Sequence, residues 1–368
     1  MASSSTVRTR SSVATASSMT SSTTTAHKLG RADSSQSSTE QSTIHSIRPS
    51  ESIPSQDDAA SVAESTDGLL EVPADQGPLC TWADLPAWMQ DNPAIWTGYR
   101  RPTFSYSKCL ASLGFLHNES VNIWTHLLGA LACIVASPIA YFKIFGVLET
   151  IRWTDIAVFY IFMASAVICL FMSASFHCFS CHSDKVSHQW NRCDYVGIAV
   201  LIVGSFYPAI FYGFYCFRTF QILYISIITL FGFGTIIAVT QPHFRTPKYR
   251  WIRSVLFLAL GLSGIFPVIH GLFLYGFHLA VKAIAFDHLF CMGASYVIGA
   301  LLYAGRVPER FFPGKLDHFG ASHQIFHVCV LIGVTTHFLG VSEAMAFWHD
   351  SNHSCAIPIA EMRIAFTQ

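Results

Sequence analysis

Hydrophobic positions gather into seven long, nearly unbroken runs, separated by short polar breaks. The runs cover approximately 122–143, 156–178, 194–215, 220–240, 254–275, 286–304 and 322–344. Each is close to the ~20 residues that a helix needs to cross about 30 Å of hydrocarbon. A helix also satisfies its own backbone polar groups there, which an open strand cannot. The breaks carry turn and charge signals: Ser183-Asp184-Lys185, Arg245-Thr246-Pro247-Lys248 and Arg306-Val307-Pro308-Glu309-Arg310. The sixth run is the least regular, with Lys282 and Asp287 near its start. The pattern predicts an all-α, polytopic seven-transmembrane helix bundle over residues 122–345.

The flanks read differently. Residues 1–78 are dominated by Ser and Thr, and the first 75 positions hold no aromatic residue. Such a segment cannot bury enough apolar surface to offset its ordering entropy, so a disordered cytosolic tail is expected. It has no apolar core of a secretory signal, and no amphipathic stretch supports a transit peptide. Residues 79–121 intersperse Trp82, Trp88, Met89, Trp96 and Tyr99 with polar residues and with Pro86, Pro93 and Pro102. Short helices and turns at the membrane surface are expected there, since Trp and Tyr favour the interface. Residues 346–368 form a short tail on the far side.

Composition agrees with this picture: 52% of the residues are hydrophobic and only 12% charged, about half the usual charged share. Basic and acidic residues balance at 22 each, which argues against a nucleic-acid partner. The distribution of charge is more informative than its sum. With the N-terminus in the cytosol, the inner segments hold Arg100, Arg101, Lys108, Lys185 and Arg192, and continue to Arg306, Arg310 and Lys315. The outer segments hold only Lys143, Arg152, Arg218, Lys282 and Arg363. The positive-inside rule then gives N-terminus in and C-terminus out, opposite to G-protein-coupled receptors.

Ionisable groups inside a bilayer are costly and are functional candidates by default. Here they converge. His177 ends the second run, Asp194 begins the third, and His323 and His327 begin the seventh. All four fall at the inner end of their helices. His323 and His327, at i and i+4, share one helix face. With a third imidazole from another helix they make a site of three protein ligands, for which zinc is the natural ion. Asp194 is placed to hold the water or a ligand imidazole, and Ser173 shares a helix face with His177. The alternative is that membrane histidines are polar partners of neighbouring helices, as His126, His270 and His337 are on this reading. Glu119, Asn122 and His126 form a stripe at the start of the first run, read as structural hydrogen bonding between helices.

Two motifs point elsewhere. Cys178-x-x-Cys181-His182 matches a haem-attachment pattern, but on the cytosolic side, where that attachment does not occur. Its thiols read as ordinary interfacial cysteines, with zinc ligation as the alternative. Asn118 and Asn352 open glycosylation sequons. The first faces the cytosol, and the second lies close to the membrane.

Several stretches together resemble the progestin and adipoQ receptor family, which includes the adiponectin-receptor and hemolysin III-like membrane proteins. They are Leu-His-Asn-Glu-Ser-Val-Asn-Ile-Trp-Thr-His-Leu-Leu-Gly (116–129), Ser173-x-x-x-His177, Asp194-Tyr195-x-Gly197-Ile198-Ala199, Pro308-Glu309-Arg310-Phe311-Phe312-Pro313-Gly314-Lys315 and Ser322-His323-Gln324-Ile325-Phe326-His327. The similarity covers residues from about 82 to 345 and is nearest to the adiponectin-receptor-like branch, which has fungal members. It implies an intramembrane zinc bound by His177, His323 and His327. It also implies an Asp194 that holds the zinc-bound water and an accompanying Ser173.

The function expected is hydrolysis of a lipid amide, with a ceramide-like substrate by analogy, in lipid metabolism and signalling. The alternative is a non-catalytic receptor or sensor with structural zinc, for lipid or zinc homeostasis or an unidentified extracellular ligand. A pore is disfavoured because no polar stripe crosses the whole bilayer. Membrane lipids are the expected partners, and the plasma membrane or endoplasmic reticulum the expected location.

Overall fold

A computed structural model of the chain describes residues 77–245 and 247–349, together with Cys355. The Ser/Thr-rich tail up to residue 76, the Asn352 sequon and the rest of the C-terminal tail lie outside the described residues. Among the described residues, seven helical spans are long and apolar enough to cross a membrane. The sheet content described is a single ribbon of two short strands.

Strands β1 (Leu79–Cys80) and β2 (Tyr99–Arg100) pair antiparallel, and α1 (Tyr106–Ala111) follows. The first span, α2 (Ser120–Ala140), continues through a π turn to Phe145. Pro138 lies just before that turn and has no N–H to give to the ladder. Next come α3 (Trp153–Phe179), α4 (Asp184–Gly213) and α5 (Arg218–Thr240). The fifth span is interrupted: α6 (Arg250–Leu262) and α7 (Ile265–Tyr275) meet at Ser263-Gly264. Pro267 explains the break, because its ring clashes with the carbonyl four residues earlier. A short α8 (Phe277–Ala283) takes up Lys282, so the sixth span, α9 (Phe286–Gly305), starts with Asp287 in its first turn. A carboxylate is favourable at that helix end. The last span is α10 (Ser322–His349).

Two boundaries differ instructively from the hydrophobic runs. Helix α4 begins at Asp184 rather than near 194, so Asp194 sits within a continuous helix and not at its first residue. Helix α10 likewise continues to His349. Hydropathy marks only the apolar part of a helix, whereas backbone hydrogen bonding carries it onward through polar residues.

The spans form an inner and an outer set. Half of the apolar window of α3 and of α4 is buried, and 39% of that of α10, against 11–17% for the others. His177, Asp194, His323 and His327 therefore all belong to the three inner helices. Phe142, Phe231, Phe233, Phe266 and Phe273 are exposed on outer ones, as expected where lipid is the solvent. Helices α3 and α4 touch almost backbone to backbone. A Cβ on Gly197 would come 3.0 Å from Cys169 Cα, and one on Gly204 would come 2.2 Å from Ser165 Oγ. Small residues permit such approach in lipid. Cys169 lies one turn from Ser173 and Gly197 less than a turn from Asp194, so this contact sets Ser173 against Asp194.

The two ends of the bundle differ chemically. Cys216, in the α4–α5 turn, forms a disulfide with Cys355, 139 positions later. The free thiols Cys109, Cys178 and Cys181 lie at the other end, where α3 gives way to α4. Cys216→Ser is expected to lower stability by about 2–5 kcal/mol. Denaturant titration checks this, and dithiothreitol should lower the wild type to the level of the variant without affecting the variant itself.

Candidate metal centre

His177 occupies the last turn of α3, while His323 and His327 lie one turn apart at the start of α10. One ring nitrogen from each lies within 4.8 Å of the others. The ring centroids are 4.8 Å apart for His177–His323, 4.8 Å for His177–His327 and 5.0 Å for His323–His327. The rings are steeply inclined to one another and do not stack.

Two of these rings are held from behind. His177 Nδ1 lies 2.7 Å from Glu119 Oε2, leaving a buried Nε2 with no partner. His327 Nδ1 lies 3.0 Å from the Asn122 carbonyl oxygen. An imidazole that donates from Nδ1 presents its Nε2 lone pair, the tautomer a metal ligand requires. An orphaned buried nitrogen, a close set of imidazoles and carboxylate backing fit a bound divalent cation. Of the stripe of Glu119, Asn122 and His126, the first two bond between helices, to the candidate ligands His177 and His327 themselves. Glu119 Oε2 also accepts from Asn122 Nδ2 at 2.6 Å, which fixes the carboxylate. His126 lies flat on His327, with centroids 3.6 Å apart and planes at 12°. Both His126 nitrogens are buried without a partner.

Asp194 and Ser173 face the same space from α4 and α3. Both are buried, within hydrogen-bonding reach of each other, and Asp194 is close enough to His177 to interact with it electrostatically. A cavity of about 990 Å³ opens beside the cluster. Its polar end is lined by His126, Ser173, His177, Asp194, His323 and His327, and it runs on past Phe206, Phe257, Val268 and Val297. His270 is apart from this group, bonded to Tyr224 between α5 and α7, and His337 bonds the Ser205 carbonyl.

Residues without a functional assignment from sequence hold the end of α3 and the start of α10 in place. Arg100, buried in β2, donates to the carbonyls of His177 and Cys178 and so caps α3. Buried Glu309 accepts from Ser322 N at 2.8 Å, Ser322 Oγ at 2.5 Å and Asn92 Nδ2 at 3.1 Å, capping α10 one residue before His323. Asp317 accepts from Trp96 N, Thr97 N and Thr97 Oγ1, tying residues 96–97 to the α9–α10 loop. His117 Nδ1 accepts from Glu119 N at 3.1 Å. Burial and the nearby Arg100 charge hold His117 down at about 3, so its ring is a neutral acceptor at physiological pH. The segment before α2 is thus packed onto the bundle end by hydrogen bonds.

The Glu119–His177 contact carries a direct prediction. Glu119→Gln should weaken divalent-metal binding by about 10–100-fold, because the carboxylate sets the ring's tautomer and basicity. Competition with a calibrated chelator checks it.

A model of the haemolysin-III-related family matches residues 115–338, the stretch that contains all three histidines. The chain belongs to this family. It is 40% identical to the adiponectin receptor protein of Drosophila melanogaster, over 76% of this chain and 62% of that protein. It is 43% identical to the progestin and adipoQ receptor-like protein 1 of Caenorhabditis elegans, over 72% of this chain and 60% of that one. The ADIPOR-like receptor IZH2 of Saccharomyces cerevisiae is 36% identical over 74% of this chain and 85% of its own length. The matched region thus spans about three-fifths of the two animal relatives. The chain is an adiponectin-receptor-like, multi-pass seven-helix membrane protein.

Proposed function

We propose that this protein is a zinc-dependent hydrolase of a lipid amide, with a ceramide-like substrate, acting near the inner leaflet in lipid metabolism and signalling. The observation that carries the reading is that three mutually close imidazoles, Asp194 and Ser173 line one largely apolar cavity. Zinc held by His177, His323 and His327 would lower the pKa of water towards ~7 and polarise a carbonyl. Three protein donors leave a coordination position open, the pattern of catalytic rather than structural zinc.

The remaining work falls to the chain's own residues. Asp194 orients water and accepts its proton. Ser173 steadies that carboxylate and is near enough to support charge developing on the substrate oxygen. The apolar length of the cavity receives acyl chains, so the amide reaches the polar end without leaving the membrane. Orientation with the N-terminus in the cytosol is supported by the basic inner loops. It is also supported by a disulfide at one end and free thiols at the other, matching oxidising and reducing compartments. The plasma membrane and the endoplasmic reticulum both suit this arrangement.

A second reading is favoured by the relatives' names, which call them receptors. In it the zinc is structural, clamping α3 to α10, and the protein senses a lipid, zinc or an extracellular ligand. The primary test strips the metal from purified protein and measures release of long-chain base from ceramide. Release should fall to background and return with zinc; undiminished release without metal would overturn the hydrolase reading.

A further inference from the structure

The Cys178-x-x-Cys181-His182 stretch plays no part in the candidate metal centre, yet its sulfurs are not scattered. Cys181 Sγ lies 3.6 Å from Cys109 Sγ of α1, and both side chains are buried, at 1% and 0% exposure. Cys178 points elsewhere, its Sγ 3.7 Å from the Cys109 carbonyl. Both thiols of the pair sit on backbone that is fixed locally. Thr103 N donates to Cys181 O and Phe104 N to His182 O, each at 2.9 Å, while Cys109 N donates to Ser105 O in the first turn of α1. Thr103 Oγ1 is a further 3.1 Å contact of Cys109 Sγ.

Among the described residues, no third donor joins these two sulfurs in a metal-sized cluster. Two thiols in van der Waals contact need to approach by only about 1.5 Å to reach bonding distance. Cys181 also lines the margin of the large cavity, which gives a small oxidant a route to it.

We propose that Cys109 and Cys181 are a redox-active dithiol that a peroxide converts to a disulfide, locking α1 to the α3–α4 turn. The Cys109 thiolate attacks one peroxide oxygen, breaking the O–O bond and releasing an alcohol or water as it becomes a sulfenic acid. The Cys181 sulfur then attacks Cys109 Sγ, expelling the sulfenic oxygen as water. Overall, two thiols and one peroxide give one disulfide, one water and one alcohol, or two waters from hydrogen peroxide. The assignment of attacker and resolver follows the polar contacts: Cys109 Sγ has both Thr103 Oγ1, at 3.1 Å, and Cys181 Sγ, at 3.6 Å, beside it, two groups able to donate to a thiolate.

The bond would form beside the end of α3. Ser112 Oγ donates to the Cys109 carbonyl and accepts from Arg100, and Arg100 grips the His177 carbonyl. The chemistry itself is independent of whether the histidines hold a metal.

The test uses the full-length protein in detergent or vesicles, treated with hydrogen peroxide, alkylated under denaturing conditions, digested and read by mass spectrometry. A Cys109–Cys181 linked peptide should appear, and dithiothreitol should remove it. Cys181→Ser should abolish the link and leave Cys109 trapped by dimedone as a sulfenic acid, whereas Cys178→Ser should keep the link. Oxidation should also raise Tm in the wild type and not in Cys181→Ser. Two results would each overturn the proposal in wild-type protein alone: both thiols still alkylatable after peroxide, or Cys109 linked to Cys178 instead.

Discussion

His323→Ala is expected to reduce the metal content of the purified protein from about one zinc per chain to near zero. The reason is the geometry of the remaining donors. His177 and His327 would be left as two imidazoles on different helices, and among the described residues no fourth histidine, cysteine or carboxylate joins this group at metal-ligand spacing. The affinity loss should exceed the ~10–100-fold that removal of an outer hydrogen-bond partner costs, and so exceed that of Glu119→Gln. A comparison on the same helix separates ligation from burial. His337 is also buried in α10, but its Nε2 bonds the Ser205 carbonyl at 2.9 Å, and its ring packs edge-on against Phe162. His337→Ala should leave the metal content unchanged while costing roughly 1–3 kcal/mol through the unpaired carbonyl and the lost contacts. Elemental analysis of the two variants beside the wild type is the measurement. A metal-free wild type, or equal loss in both variants, would remove the basis of the metal centre.

What could be read from sequence and what could not follow a physical division. The i, i+4 spacing of His323 and His327 is local, and the position of His177 at the end of a hydrophobic run is nearly so. Helix periodicity and span order therefore suffice to put these residues at one end of the bundle. The groups that aim and hold them act across long separations. Glu119 meets His177 only because the start of α2 lies against the end of α3. Asn122 serves His327 with its backbone carbonyl, which no side-chain pattern can reveal. Arg100, Glu309 and Asp317 bond to backbone groups of other segments, a role that leaves no periodic trace. Even within the spans, averaging over apolar residues hid the break at Ser263-Gly264, although Pro267 was its visible cause. A polar residue that caps another segment's helix reads in sequence as an ordinary loop residue.

Asp194→Asn should lower the turnover of a ceramide-like amide by about 10²–10⁴-fold while leaving the zinc bound. Asparagine keeps the size of the side chain and an oxygen that Ser173 can still contact, so the packing of α3 on α4 through Gly197 and Gly204 should survive. It cannot accept a proton, and proton acceptance is the role assigned to this residue. The loss should fall on kcat, with little change in KM, because the apolar walls that receive acyl chains are untouched. Ser173→Ala should have a smaller effect in the same direction, since it removes one hydrogen bond from the carboxylate and not the carboxylate itself. The variant also discriminates between the two readings, because a structural zinc needs His177, His323 and His327 but has no use for a base. Metal content and ceramide turnover measured on the same preparation decide between them. Zinc retained with activity lost places Asp194 in the chemistry; zinc and turnover both retained would leave the carboxylate as helix packing, and zinc bound with no turnover above background in the wild type would favour the receptor.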